Sequence, residues 1–145
     1  MSIDIIKIWH EKARPNPVNK DFQVQLGCHL EEIGEMLDQM SGDDDFAHAL
    51  VVKATVAVYK IAEALKSGSA AVHVLDRKQF LDALCDQIVT GTGVGHCARM
   101  NIAEGVRRVN DSNWTKTVNG EFVRDMHGKI QKPEGYKPPD LSGLY

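Results

Sequence analysis

The sequence predicts an all-α protein, a bundle of four to five helices followed by an extended C-terminal tail. Three observations predict it. Apolar residues recur at the 3.6-residue helical period, as in Phe22, Leu26, Leu30, Ile33 and Leu37, spaced four, four, three and four apart. Capping and breaking residues bound each periodic stretch. From Asn110 onward Asn, Gly, Pro and Thr dominate, and Lys132-Pro133 and Lys137-Pro138-Pro139 forbid a regular helix.

Taken in order, Ile5, Ile6, Ile8 and Trp9 predict a short first helix that ends before Arg14-Pro15-Asn16-Pro17. Asn19 or Asp21 is the expected cap of the second helix, which Ser41-Gly42 ends. Asp43–Asp45 open a third helix from about Phe46 to Lys66, so rich in Ala and Val that burial on most sides is expected. Ser67-Gly68-Ser69 reads as a loop, and Ala71–Leu75 is ambiguous. Asp76 then caps a fourth helix carrying Phe80, Leu81, Leu84, Ile88 and Val89, with Gly91, Gly93 and Gly95 expected to interrupt it. A further helical stretch covers Ala98–Val109. The resulting division is a helical bundle over 1–110 and a tail over 111–145, packed on the same domain or on a partner subunit.

A chain of 145 residues is one domain's worth of protein and can bury a sizeable core without a staple. With 43% apolar and 26% charged residues it is an ordinary soluble globule, which excludes collagen, a coiled-coil rod and global disorder. A net charge of −3 argues against binding nucleic acid or anionic membrane through bulk charge. The three cysteines (Cys28, Cys85, Cys97) are odd in number and form no CxxC pair, so a reducing cytoplasm is expected. Lys53 and Lys60 break the longest apolar stretch, so no membrane span is expected. Asp4 and the lack of a small-residue cleavage site predict no secretion signal.

Chemistry concentrates in two acidic clusters. In His29-Leu30-Glu31-Glu32-Ile33-Gly34-Glu35, residues three and four apart on a helix project from nearly one place. Such like charges repel when exposed, and a divalent cation between them turns repulsion into binding. Hard oxygen ligands suit Mg²⁺ or Mn²⁺, whereas the alternative is a solvated acidic face. In the fourth helix Asp82 and Asp86 are four apart among Leu84, Cys85, Ile88 and Val89. That setting places an acid near a buried seam, where it must neutralise, bind metal or pair with Lys78, Arg99 or Arg107. Inward carboxylates from two helices are one way to build a metal site in a bundle.

The run Glu31-Glu32-Ile33-Gly34-Glu35, followed by Asp82-Ala83-Leu84-Cys85-Asp86, resembles the all-α nucleoside triphosphate pyrophosphohydrolase superfamily. That group takes in MazG-like proteins, dimeric dUTPases and phosphoribosyl-ATP pyrophosphohydrolase. Ser112-Asn113-Trp114-Thr115-Lys116, Gly128-Lys129 and Lys132-Pro133 through Tyr136 are similar to the tails of small, often phage-associated members. The resemblance runs from about Phe22 to Leu141. It implies a helical homodimer or dimer of dimers with Mg²⁺ held by ExxE and ExxD motifs. It implies cleavage between α- and β-phosphates, releasing a nucleoside monophosphate and pyrophosphate. On this resemblance Glu32 and Glu35 match ExxE, Glu31 is a further ligand or the general base, and Asp86 matches the last acid of ExxD. The first acid of ExxD falls on Ala83, one place from Asp82, which is rotated about 100° around the helix. Asn113 and Lys116 are the expected phosphate contacts, or else a C-cap and a solvated charge.

Other features carry less. Gly91-Thr92-Gly93-Val94-Gly95 lacks the Lys-Ser/Thr of a phosphate loop, so close packing or a kink is expected. Cys28-His29 and His96-Cys97 are adjacent pairs that point about 100° apart on a helix, unsuited to one zinc ion. The leading expectation is therefore a Mg²⁺-dependent nucleotide pyrophosphohydrolase. The alternatives are a catalytically weak nucleotide-binding or regulatory module, and a structural helical dimer.

Overall fold

The computed structural model describes residues 3–145, and among them the chain is all-α. It has five helices, α1 (Asp4–Ala13), α2 (Asn19–Asp38), α3 (Asp45–Ser67), α4 (Arg77–Cys97) and α5 (Ile102–Asn113). One two-stranded antiparallel ribbon follows, β1 (Thr117–Val118) with β2 (Glu121–Phe122). Among the described residues no helix is long and apolar enough to cross a membrane. The chain divides into two compact units that do not follow a cut at residue 110. One comprises Met1–Pro15, His73–Val123 and Ile130–Tyr145; the other comprises Asn16–Val72 and Arg124–Lys129.

The unit built on Asn16–Val72 is an antiparallel α2–α3 hairpin. Helix α2 begins after Pro17, where the Asp21 carboxylate accepts the Val18 N–H at 3.0 Å. Helix α3 is capped by Asp44, which accepts the Ala47 N–H at 2.7 Å, and it stops at Gly68, whose φ of 77° suits glycine. Two glycines seven residues apart bring the helices close. A Cβ on Gly27 would lie 2.8 Å from the Ala62 carbonyl oxygen, and one on Gly34 would lie 2.7 Å from the Tyr59 ring. Buried Gln23 closes the unit, donating to the Val72 carbonyl at 2.7 Å and accepting the Val72 N–H at 3.0 Å.

The tight contact at Gly27 has a measurable consequence. Gly27→Ala gains about 1 kcal/mol of helix propensity. It also forces the hairpin open at a backbone carbonyl, an overpacking cost of roughly 1–3 kcal/mol. A net fall of a few degrees in the thermal midpoint is expected, read by circular dichroism.

Expected burial of α3 on most sides is not what the structure shows. Ala62, Leu65 and Thr55 are buried, but Phe46 is 74% exposed and Leu50, Val52, Val56 and Ile61 are exposed as well. Helix α2 is the main partner of α3, and one partner covers one stripe of a helix, not its circumference.

In the other unit, α1 and α5 pack around an aromatic cluster. The Trp9 ring meets Phe122 edge-on at 5.4 Å, and Trp114 lies 6.4 Å from the same ring. The β1–β2 turn is Asn119-Gly120, both at positive φ (53° and 82°), the conformation of a two-residue hairpin loop. The tail is tied to α5 through Ser112, whose hydroxyl donates to the Lys137 carbonyl at 2.6 Å.

Two further expectations are corrected here. Helix α4 runs unbroken through Gly91 and Gly93 to Cys97, because an interior glycine costs about 1 kcal/mol but keeps its backbone hydrogen bonds. Helix α5 starts at Ile102 and not at Ala98: Arg99 takes a positive φ of 61°, and Asn101 caps the helix by accepting the Glu104 N–H. The buried Gly95 meets Ile102, where a Cβ would collide with the side chain. Asp76 caps α4 as expected, accepting the N–H groups of Lys78 and Gln79.

Candidate functional site

The acidic motif lies in the second half of α2, on the hairpin. Its three acids do not share one environment. Glu32 and Glu35 are exposed, whereas Glu31 is half-buried. Both oxygens of the Glu31 carboxylate are engaged. Oε1 accepts from the Lys66 ammonium on α3 at 2.5 Å, and Oε2 accepts from the Lys129 ammonium at 2.8 Å. Burial by itself would raise the Glu31 pKa, but the hydrogen bonds and charges of Lys129 and Lys66 outweigh it and hold the carboxyl below its ordinary value. The same exchange raises Lys129 above its ordinary value against the opposing effect of burial.

Lys129 reaches α2 from a tight turn. Asp125 Oδ1 accepts the N–H groups of His127 and Lys129, each at 2.9 Å, and Gly128 supplies a positive φ of 94°. Burial opposes ionisation of Asp125, yet these backbone donors keep its pKa lowered. The turn is fastened further along α2, where Arg124 pairs with Asp21 and the Lys20 ammonium donates to the Met126 carbonyl.

Tyr59 stands one turn beyond, its ring over Gly34 and its hydroxyl donating to Asp38 at 2.6 Å. That hydrogen bond, with the charges of Asp38, Glu35 and Glu31, pushes the phenol up to about 12. A raised folded-state pKa favours the protonated form, so this contribution to stability is complete below the unfolded phenol pKa near 10 and is lost as pH rises through about 12. Absorbance titration at 295 nm should show one late phenolate, and Tyr59→Phe should remove it; a late phenolate persisting in that variant would refute the assignment.

Asp82 and Asp86 lie on α4, in the other compact unit, and both are exposed. The expectation that they sit near a buried seam is corrected: their apolar neighbours Leu81, Ile88 and Val89 are 62%, 54% and 68% exposed themselves. The helix that packs on the acidic motif is α3, which sets Ala62, Lys66 and Tyr59 against α2. Asn113 is the last residue of α5, where its carbonyl accepts the Lys116 N–H at 3.1 Å. The Lys116 ammonium lies 5.8 Å from the centre of the Tyr136 ring, with Lys132 at 5.3 Å from the same ring.

Among the described residues, no group of three or more His, Cys, Asp or Glu side chains is arranged to hold a metal ion by itself. Magnesium asks for less, since it takes one or two carboxylates and fills its shell with water and substrate phosphate oxygens. Glu32 and Glu35 fit that donor set. The sequence carries no signal for Lys66, whereas Gly128-Lys129, with Lys132 and Lys137, reads as a basic tail able to fold over phosphates or as a solvated strand; the Asp125-x-x-Gly128-Lys129 pattern of an Asx-type turn is a further signal. No family model, no curated protein and no solved structure matches this chain.

Proposed function

We propose that this chain is a Mg²⁺-dependent nucleoside triphosphate pyrophosphohydrolase, cleaving between the α- and β-phosphates to release a monophosphate and pyrophosphate. One observation carries the reading: Glu31 takes up two ammonium groups, while Glu32 and Glu35 stay at the surface of α2 as hard oxygen donors. Glu32 and Glu35 would hold Mg²⁺ or Mn²⁺, which would supply neutralisation of the triphosphate charge. A nearby glutamate, Glu31 or Glu32, would take the proton of the attacking water. The Lys129 and Lys66 ammonium groups hold the Glu31 carboxyl below its ordinary value, which weakens it as a base. Asp82 and Asp86 enter the reading as further carboxylate donors, and Asn113 and Lys116 as an amide and an ammonium suited to phosphate oxygens.

The same reading includes a homodimer, or a dimer of dimers. Along α4 only Gly95 is buried, and Phe80 and Leu84 are half-buried; the rest of the helix is exposed, with Leu81, Ile88, Val89 and Val94 each more than half exposed. A helix with that much apolar surface and two unpacked glycines is unstable unless something covers it. A second copy is the occupant proposed. Antiparallel pairing about Ile88 would set Leu84 of one helix against Thr92 of the other, and Cys85 against Gly91.

A catalytically weak nucleotide-binding module is the second reading. It is favoured by the lysines that occupy both oxygens of Glu31. The test is incubation with a panel of canonical and modified nucleoside triphosphates and Mg²⁺, followed by product separation. Monophosphate with pyrophosphate is the expected result. Diphosphate with phosphate would assign another hydrolase class. A nucleotide that raises the melting temperature only with Mg²⁺ and is never cleaved would establish the second reading.

A further inference from the structure

We propose that Lys66 and Lys129, gathered on Glu31, form a cradle for the phosphate chain of the ligand, with Glu31 as the positioning residue. The inference rests on the polyphosphate reading above and adds a second half to the acidic motif. One carboxylate balances one of two ammonium charges, so the Lys66–Glu31–Lys129 cluster keeps a net charge of about +1. The lysine side chains are 19% and 36% exposed and that of Glu31 24%, so the charges are partly withdrawn from water but still reachable. An oxyanion meeting them loses less to screening than at a fully solvated lysine.

Several features hold the cations in place before any ligand arrives. The Lys66 stem lies across Gly27, where a Cβ would come 2.7 Å from its Cγ. Lys129 is delivered by the Asp125 turn, which Arg124 and Lys20 fasten to the first turns of α2. Glu31 then draws both ammonium groups to one point and relieves their mutual repulsion. Glu35 follows Glu31 by four residues, just over one helical turn and about 6 Å of axial rise. A cation at Glu32 and Glu35 and the ammonium pair at Glu31 thus present alternating charge at a spacing suited to a compact polyphosphate. Glu32, Glu35 and Asp38 on the same helix repel an extended polyanion such as nucleic acid.

Inorganic pyrophosphate with Mg²⁺ is the probe, titrated calorimetrically into the full chain. Lys129→Met should weaken binding at least about tenfold, as loss of a charge-assisted contact does, and Lys129→Arg should restore most of it. Glu31→Gln adds one positive charge, so bulk attraction alone would tighten binding; a weaker affinity with an unchanged circular dichroism spectrum marks the positioning role. In the unsubstituted protein, pyrophosphate should protect Lys66 and Lys129 from an amine-acylating reagent, read by peptide mass spectrometry. Unchanged affinity in Lys129→Met, or no protection of either lysine, overturns the cradle even if nucleotides are cleaved. Pyrophosphate binding that Lys129→Met abolishes, in a protein that cleaves no nucleotide, overturns the hydrolase reading and leaves the cradle standing.

Discussion

Glu35→Gln is expected to cut nucleotide turnover roughly 10²–10³-fold while leaving the protein folded, a loss of about 3–4 kcal/mol in transition-state stabilisation. The substitution keeps the size and helix preference of the side chain and removes one of three exposed carboxylates on α2, the others being Glu32 and Asp38. Without Mg²⁺ it should stabilise α2 by a few tenths of a kcal/mol, because it relieves repulsion with acids one turn away. With Mg²⁺ and nucleotide the order reverses: the unsubstituted protein gains melting temperature and the variant does not. Parallel turnover and melting curves separate a ligand carboxylate from a surface charge. Turnover within about twofold of the unsubstituted protein would remove Glu35 from the site.

If α4 pairs in the homodimer proposed above, Ile88→Asp should convert it into a monomer. Ile88 is 54% exposed at the middle of an apolar stripe on α4. A carboxylate there would meet its own symmetry copy, and the dissociation constant should rise by roughly 10²-fold or more, read by sedimentation equilibrium. Gly91→Ala sharpens the test. In the single chain nothing lies within 4 Å of a Cβ at this position, so alanine would stabilise α4 by about 1 kcal/mol. In the antiparallel pair that Cβ would press on the second copy, and the dimer should weaken instead. An unsubstituted chain that sediments as a monomer at all concentrations overturns the α4 pairing.

Local chemistry made most of the fold legible. Arg14-Pro15 ends α1, Asp44 and Gly68 bound α3, and Asp76 caps α4, each through backbone groups within a few residues. What escaped depended on distant partners or small energies. The glycines of α4 look like breakers, but none costs enough to end a helix. The start of α5 is set by the positive φ of Arg99 and by Asn101, and the Asn119-Gly120 hairpin is a two-residue signal inside a tail that reads as irregular. Burial was misjudged on α3 and α4 because composition states how apolar a helix is, not how many neighbours cover it.

The site divides in the same way. Helical spacing puts Glu31, Glu32 and Glu35 together without further information. It is silent on Glu31 being taken by lysines 35 and 98 residues away, which separates its chemistry from that of its neighbours. Gly34 looks like a gap in the acidic motif until Tyr59 is seen lying over it.

Residues 124–129 leave one compact unit at Val123, serve the hairpin, and return at Ile130, where Gln131 N–H donates to the Val123 carbonyl at 2.8 Å. The hairpin is therefore not self-sufficient as a stretch of chain. A fragment spanning only 16–72 would retain every contact between α2 and α3 yet leave Lys66 alone on Glu31, with Asp21 deprived of Arg124. The six residues act as a splint lent from elsewhere in the polypeptide, and a short synthetic peptide of that sequence is its natural complement in trans.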